Sequence, residues 1–94
     1  MQYDSRTPIY LQVIDHIQKR LVQKEIRPGD KLPSTRTLAM EYEVNPNTAV
    51  RIYKEMEMMG LCHTERGLGT YVTDDPDVIN QMRRDMACKL IREF

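Results

Sequence analysis

Two short segments of this chain carry side chains suited to meeting a polyanion: Pro33-Ser34-Thr35-Arg36-Thr37-Leu38-Ala39 and Val44-Asn45-Pro46-Asn47-Thr48. Both are rich in small hydroxyl or amide side chains and free of acids, and the first adds Arg36. If each opens a helix, its unpaired amides can receive phosphate while the short side chains still reach base edges. A third segment, Arg66-Gly67-Leu68-Gly69-Thr70, sets a basic residue beside glycines that permit a tight hairpin and close backbone approach. No Lys-Ser or Lys-Thr follows it and no strand–helix–strand pattern surrounds it, so it is not a nucleotide-cradling loop.

Other chemistry finds less support. Cys62-His63 invites a metal-sensor reading, but Cys88 and His16 lie far off in sequence. A buried thiol and a surface imidazole fit that spacing better than a ligand set, so no metal and no cofactor are expected. No serine is matched by a histidine and an acid, and no carboxylate pair flanks a cleft, so the chain reads as a non-enzyme. Tyr3, Tyr10 and Tyr42 are too scattered to stack successive bases of a single strand.

The 94 residues suit one small domain with an appended element, and a core that size commonly gains stability from a partner subunit. Fourteen basic residues balance fourteen acids, so no net field draws in nucleic acid. Local charge must therefore do so, with acids such as Glu41, Glu43, Glu55 and Glu57 turned elsewhere. No apolar run approaches the roughly 18–20 residues of a membrane span, and the N-terminus has no secretory stretch. A cytoplasmic protein with no membrane partner is expected.

The elements that must hold these segments follow from periodicity. After Thr7 as N-cap and Pro8 as first helical residue, Ile9, Val13, Ile14, Ile17, Leu21 and Val22 form one stripe. Arg27-Pro28-Gly29-Asp30 is a turn, and Lys31-Leu32 leaves room for a very short strand. Ser34 caps a second helix with Leu38, Ala39 and Tyr42 inward and Arg36 outward. Asn45 caps a third helix with Pro46 at its first position. Ala49, Ile52, Tyr53 and Met56 face inward there, and Asn47, Thr48, Arg51 and Lys54 outward. Gly60 closes that helix in the left-handed conformation, and 61–64 and 70–73 read as a hairpin. Asp75 and Pro76 then open a last helix carrying Ile79, Met82, Met86, Leu90 and Phe94 at spacings of three and four. That stripe either folds back on the domain or pairs with its copy in a second subunit; pairing is favoured.

Pro8-Ile9-Tyr10-Leu11-Gln12, Pro28-Gly29-Asp30-Lys31-Leu32-Pro33-Ser34-Thr35-Arg36, Val44-Asn45-Pro46-Asn47-Thr48, Gly60-Leu61 and Arg66-Gly67-Leu68-Gly69-Thr70-Tyr71-Val72 stand in a linked order. Together they resemble the N-terminal domain of GntR-family bacterial transcription regulators. Asn-Pro-Asn-Thr and the short helical tail resemble the YtrA-like branch, whose members are small dimeric repressors, often of transporter operons. The resemblance implies DNA contacts by Ser34, Thr35 and Arg36, by Asn45, Pro46, Asn47, Thr48 and Arg51, and by Arg66, Gly67 and Gly69 of a wing. Many family members carry arginine where Pro46 stands. Whether Arg51 reaches a phosphate and whether Val50 touches a thymine methyl stay open.

The expected fold is mainly α with a small β-hairpin: a winged helix-turn-helix over residues 1–73, then a C-terminal dimerisation helix over 74–94. The expected function is a sequence-specific, homodimeric repressor of a bacterial operon that binds a pseudo-palindromic double-stranded operator. An unidentified small-molecule effector would have to bind near the dimer seam or the hinge at Asp74-Asp75. The alternative is a winged helix that binds protein and not duplex DNA.

Overall fold

A computed structural model describes residues 5–92, with side chains through Ala87. Its order is α1 (Ile9–Val22), α2 (Thr35–Tyr42), α3 (Pro46–Met58), β1 (Cys62–Glu65), β2 (Gly69–Val72) and α4 (Pro76–Arg92). β1 and β2 pair antiparallel from Cys62↔Val72 to Glu65↔Gly69. Lys31 adds a single antiparallel bridge to Tyr71. Leu32 N–H donates to Thr70 C=O at 2.7 Å, and Val72 N–H to Asp30 C=O at 2.8 Å. The short strand expected at Lys31-Leu32 is thus one rung on the outer edge of β2. Among the described residues, no helix is long and apolar enough to cross a membrane.

The inward stripes follow the predicted periodicity except at the start of α1, where Ile9 is 44% exposed because the first turn overhangs the core. Val13, Ile14, Ile17 and Leu21 of α1 meet Leu38, Ala39 and Tyr42 of α2 and Ala49, Ile52, Tyr53 and Met56 of α3, with Val72 closing the hairpin side. The start of α1 differs from expectation. Pro8 is the cap residue, extended at ψ 139°, with no capping side chain. Its carbonyl takes the N–H groups of Leu11 (3.1 Å) and Gln12 (3.3 Å). The fixed φ of proline suits the flanking position as well as the first helical one, and here ψ decides. Thr7 contributes its carbonyl instead, accepting from Gln12 Nε2 at 2.7 Å.

Gly60 closes α3 as expected, at φ +78°. Gly60 N–H donates to Glu57 C=O (3.0 Å) and Leu61 N–H to Met56 C=O (2.9 Å), the paired bonds of a Schellman ending, with Leu61 and Met56 both buried.

α4 corrects the expectation most. Asp75 does cap it, accepting from Asp77 N–H at 2.9 Å. Yet Ile79 and Met82, assigned to a seam between subunits, are only 6% and 5% exposed within this one chain, and Met86 packs at the edge of the same core. The hinge leaves little slack: Thr73 N–H donates to Leu61 C=O at 2.8 Å. Val78 of α4 lies close to the Gly60 corner, its Cγ2 4.0 Å from where a Cβ would stand, an ordinary contact distance. The first turns of α4 therefore pack with the winged helix across the boundary drawn at residue 73. The side chain of Leu90, and Phe94, lie outside the described residues.

Candidate nucleic-acid interface

The two polar helix starts are built by their caps. Ser34 Oγ accepts from Thr37 N–H at 3.2 Å and donates to Thr37 Oγ1 at 3.0 Å, while Leu38 N–H reaches Ser34 C=O at 2.8 Å. Of the first four amides of α2, those of Thr35 and Arg36 are left for an external acceptor. At α3, Asn45 Oδ1 accepts from Asn47 N–H at 2.8 Å and Ala49 N–H donates to Asn45 C=O at 3.1 Å. Pro46 has no amide hydrogen to lose, so Thr48 supplies the one unpaired amide of that end. Neither helix has an acid in its first turn, so no first-turn carboxylate competes for the positive end of the helix dipole.

The turn between them holds a residue that the sequence did not flag. Glu43 sits at φ +54° and ψ 46°, left-handed for a non-glycine residue, and Val44 N–H donates back to Ala39 C=O at 2.9 Å. The turn is tight enough to impose that conformation on a glutamate. Tyr53, from the inner face of α3, ties the segments together: its hydroxyl donates to Pro33 C=O at 2.6 Å, one residue before the α2 cap. Burial pushes the Tyr53 hydroxyl above its ordinary value, so it stays a donor at any physiological pH.

On the outer face of α3, Asn47, Val50, Arg51 and Lys54 are exposed and Thr48 is half-buried. They fall at spacings of three and four, one continuous stripe. Arg51 does not stand free. Its guanidinium carbon lies 4.0 Å above the ring centroid of Tyr10 in the first turn of α1, a cation–π contact. Val50, 41% exposed, is the apolar group on that stripe.

Arg66 and Gly67 form the exposed hairpin tip. Leu68 N–H donates to Glu65 C=O at 2.9 Å and Gly67 takes φ +80°, the positive φ that a type II turn needs at its third position. Gly69 has a different reason. Its φ of +125° favours glycine, and the flexible end of Lys31 lies over it, with Cε 2.9 Å from where a Cβ would stand. Lys31, which sequence reasoning did not assign, thus lies with Ser34, Thr35, Gly69 and Thr70 around one open cavity of about 900 Å³ between the wing and α2. The signal that could have found it was a lysine in a short extended segment ahead of Pro33-Ser34. The acids on that cavity are Glu25, Asp30 and Glu41. Two are engaged: Glu25 with Arg20 at 3.2 Å and Asp30 with Arg27 N–H at 2.9 Å.

The strand alternation of β1 separates the Cys62-His63 pair. Cys62 is buried and its thiol lies 3.7 Å from Tyr53 C=O, whereas His63 is exposed, 3.4 Å from Glu65 and stacked on Tyr71. Burial, with Glu57 nearby, pushes the Cys62 thiol up to about 11. An acid whose folded-state value lies above the ordinary value near 9 subtracts stability as pH rises through that window. Iodoacetamide at pH 8 is expected to label Cys62 at least about 100-fold more slowly in the native protein than in denaturant, because the thiolate fraction falls by that factor. Peptide mass spectrometry separates it from Cys88; equal rates would contradict the buried thiol.

With this geometry in place, the comparisons with known proteins are specific. The sequence pattern of the bacterial regulatory proteins of the gntR family matches residues 9–72. The chain is 43% identical over 93 residues to the uncharacterised HTH-type transcriptional regulator YhcF of Bacillus subtilis, covering 99% of this chain and 77% of that one. It is 45% identical over 71 residues to the HTH-type transcriptional repressor YtrA of the same organism, covering 76% of this chain and 55% of YtrA. A solved GntR family transcriptional regulator from Listeria monocytogenes superposes with a TM-score of 0.90 at 40% identity, covering 98% of this chain and 81% of that one. The AraR DNA-binding domain, solved with operator ORX1, superposes at 0.68 with 27% identity over 78% of this chain and 90% of its own. The helix-turn-helix, the glycine-turned wing and these matches agree: the chain belongs to the gntR family of bacterial regulatory proteins.

Proposed function

We propose that this DNA-binding transcriptional regulator is a cytoplasmic homodimeric repressor that reads a pseudo-palindromic operator. The observation that carries the reading is the acid-free stripe Asn47, Val50, Arg51 and Lys54 on α3, continuous with a helix start whose Thr48 amide is unpaired. In a major groove, Asn47 meets base edges or phosphate and Val50 meets thymine methyls. Arg51, braced by Tyr10, serves the phosphate backbone at the groove wall. Thr35, Arg36 and Lys31 line the α2 side, and Arg66 enters the minor groove from the wing, where Gly67 allows close approach. Because Ile79 and Met82 are buried within the chain, the twofold contact is assigned to the residues after Ala87, Leu90 and Phe94 among them.

The test is duplex binding by fluorescence anisotropy across a salt series, with stoichiometry from analytical ultracentrifugation. Affinity is expected to fall linearly in log–log form, by about 0.9 log unit per neutralised phosphate for each tenfold rise in salt, with two chains per selected duplex. A protein-binding winged helix gives no salt-dependent duplex affinity, and that result would overturn the reading.

A further inference from the structure

A second cavity, of about 460 Å³, lies where α4 docks on the winged helix. Leu21, Ile26, Pro28 and Ile79 give it apolar walls, and Lys24, Arg27 and Arg83 stand around it. It shares no residue with the DNA-facing stripe, the helix starts or the wing. Its volume falls in the range of small-molecule sites, which pair apolar walls with a few polar groups.

Its polar complement has one sign. None of the three cations has a carboxylate partner among the described residues; the carboxylates of Asp15, Glu25 and Glu65 pair instead with Lys19, Arg20 and His63. The carbonyls at the end of α1 from Lys19 to Leu21 are taken as well. Lys19 C=O accepts from Gln23 N–H, Leu21 C=O from Lys24 N–H, and Arg20 C=O from both Glu25 and Ile26 N–H. The site therefore offers donors and positive charge over an apolar floor. The α1 C-terminus, whose dipole favours a cation, accounts for Lys24, but it does not account for Arg27 on the following turn or Arg83 on α4. Lys24 also holds φ +65°, a conformation uncommon for a side-chain-bearing residue, and it sits on the rim of this cavity.

We propose that this cavity binds a small amphipathic anion, its carboxylate or phosphate held by Lys24, Arg27 and Arg83 and its apolar body against Leu21, Ile26 and Ile79. Such a ligand bridges the winged helix and α4, so it biases how α4 sits and, through it, the spacing of two DNA-binding domains. Only that regulatory consequence rests on the repressor reading; the site itself does not.

Octanoate, hexyl phosphate and neutral 1-octanol are titrated into the full chain without DNA, followed by amide chemical shifts. Saturable shifts are expected for both anions, centred on Leu21–Arg27 and Ile79–Arg83, with octanol at least about tenfold weaker. Arg83→Gln and Arg27→Gln, both at exposed positions, should each weaken the anions by about tenfold while leaving the remaining amide spectrum in place. Equal affinity for octanol and octanoate, or wild-type anion affinity in both variants, overturns the site. Octanoate is then added to the protein–duplex complex. A shift in duplex affinity that Arg83→Gln abolishes supports the regulatory role; unchanged affinity at saturating octanoate refutes that role and leaves the site standing.

Discussion

Arg36→Ala is expected to weaken binding to a selected duplex by about 1–3 kcal/mol at fixed salt, a loss of about fivefold to 150-fold. Arg36 is the second residue of α2, exposed, with no ion pair among the described residues to break before it engages DNA. Its base is held on two sides, by the Ser34 cap and by the Tyr53 hydroxyl on Pro33 C=O. The guanidinium therefore starts from a fixed backbone, and less ordering has to be paid for on binding. Arg36→Lys separates its two modes of contact. Lysine keeps the charge and loses the planar fork, so a phosphate contact survives it and a bidentate guanine contact does not. The melting temperature should stay within about 4 °C for both variants, since the exposed Arg36 side chain makes no cap bond or ion pair among the described residues. Unaltered affinity in Arg36→Ala would remove Arg36 from the interface.

What the sequence discloses about this site depends on how local the determining physics is. Ser34, Asn45 and Gly60 were legible because a cap is decided within three or four residues, by one side-chain oxygen or one positive φ. The inner stripes of α1, α2 and α3 were legible because burial repeats with the helix. Glu43 was not, because residue type argues against a left-handed glutamate and only the packing of α2 on α3 imposes it. Lys31 escaped because its place beside the wing comes from a bridge to Tyr71, 40 positions later. The stripe of α4 was seen, but its first two residues, Ile79 and Met82, go to the chain's own core. Apolar residues three and four apart serve a subunit seam and an intramolecular groove equally well, and only the tertiary surroundings, with Leu21 and Ile26 beside Ile79, decide between them.

The two faces of α3 should separate stability from recognition. Ile52 is fully buried at the middle of the helix, between Ala49 and Met56, which are fully buried too. Ile52→Ala removes packed methylenes and leaves a cavity at the centre of a small core, for an expected cost of about 2–5 kcal/mol. Against a total of about 5–15 kcal/mol this is a large share, and for a domain this size it lowers the melting temperature by about 10 °C or more. Circular dichroism melts read it directly. At a temperature where the variant is still folded, its duplex affinity per folded molecule should match the wild type, because the outer stripe is untouched. Val50→Ala, two residues away on the opposite side, inverts the pattern: its melt stays near the wild type, and affinity falls only for duplexes with thymine under Val50. A folded Ile52→Ala protein with tenfold weaker affinity would mean that core packing sets the pose of Asn47 and Val50 in the groove. The two faces of α3 would then be energetically coupled and could not be altered independently.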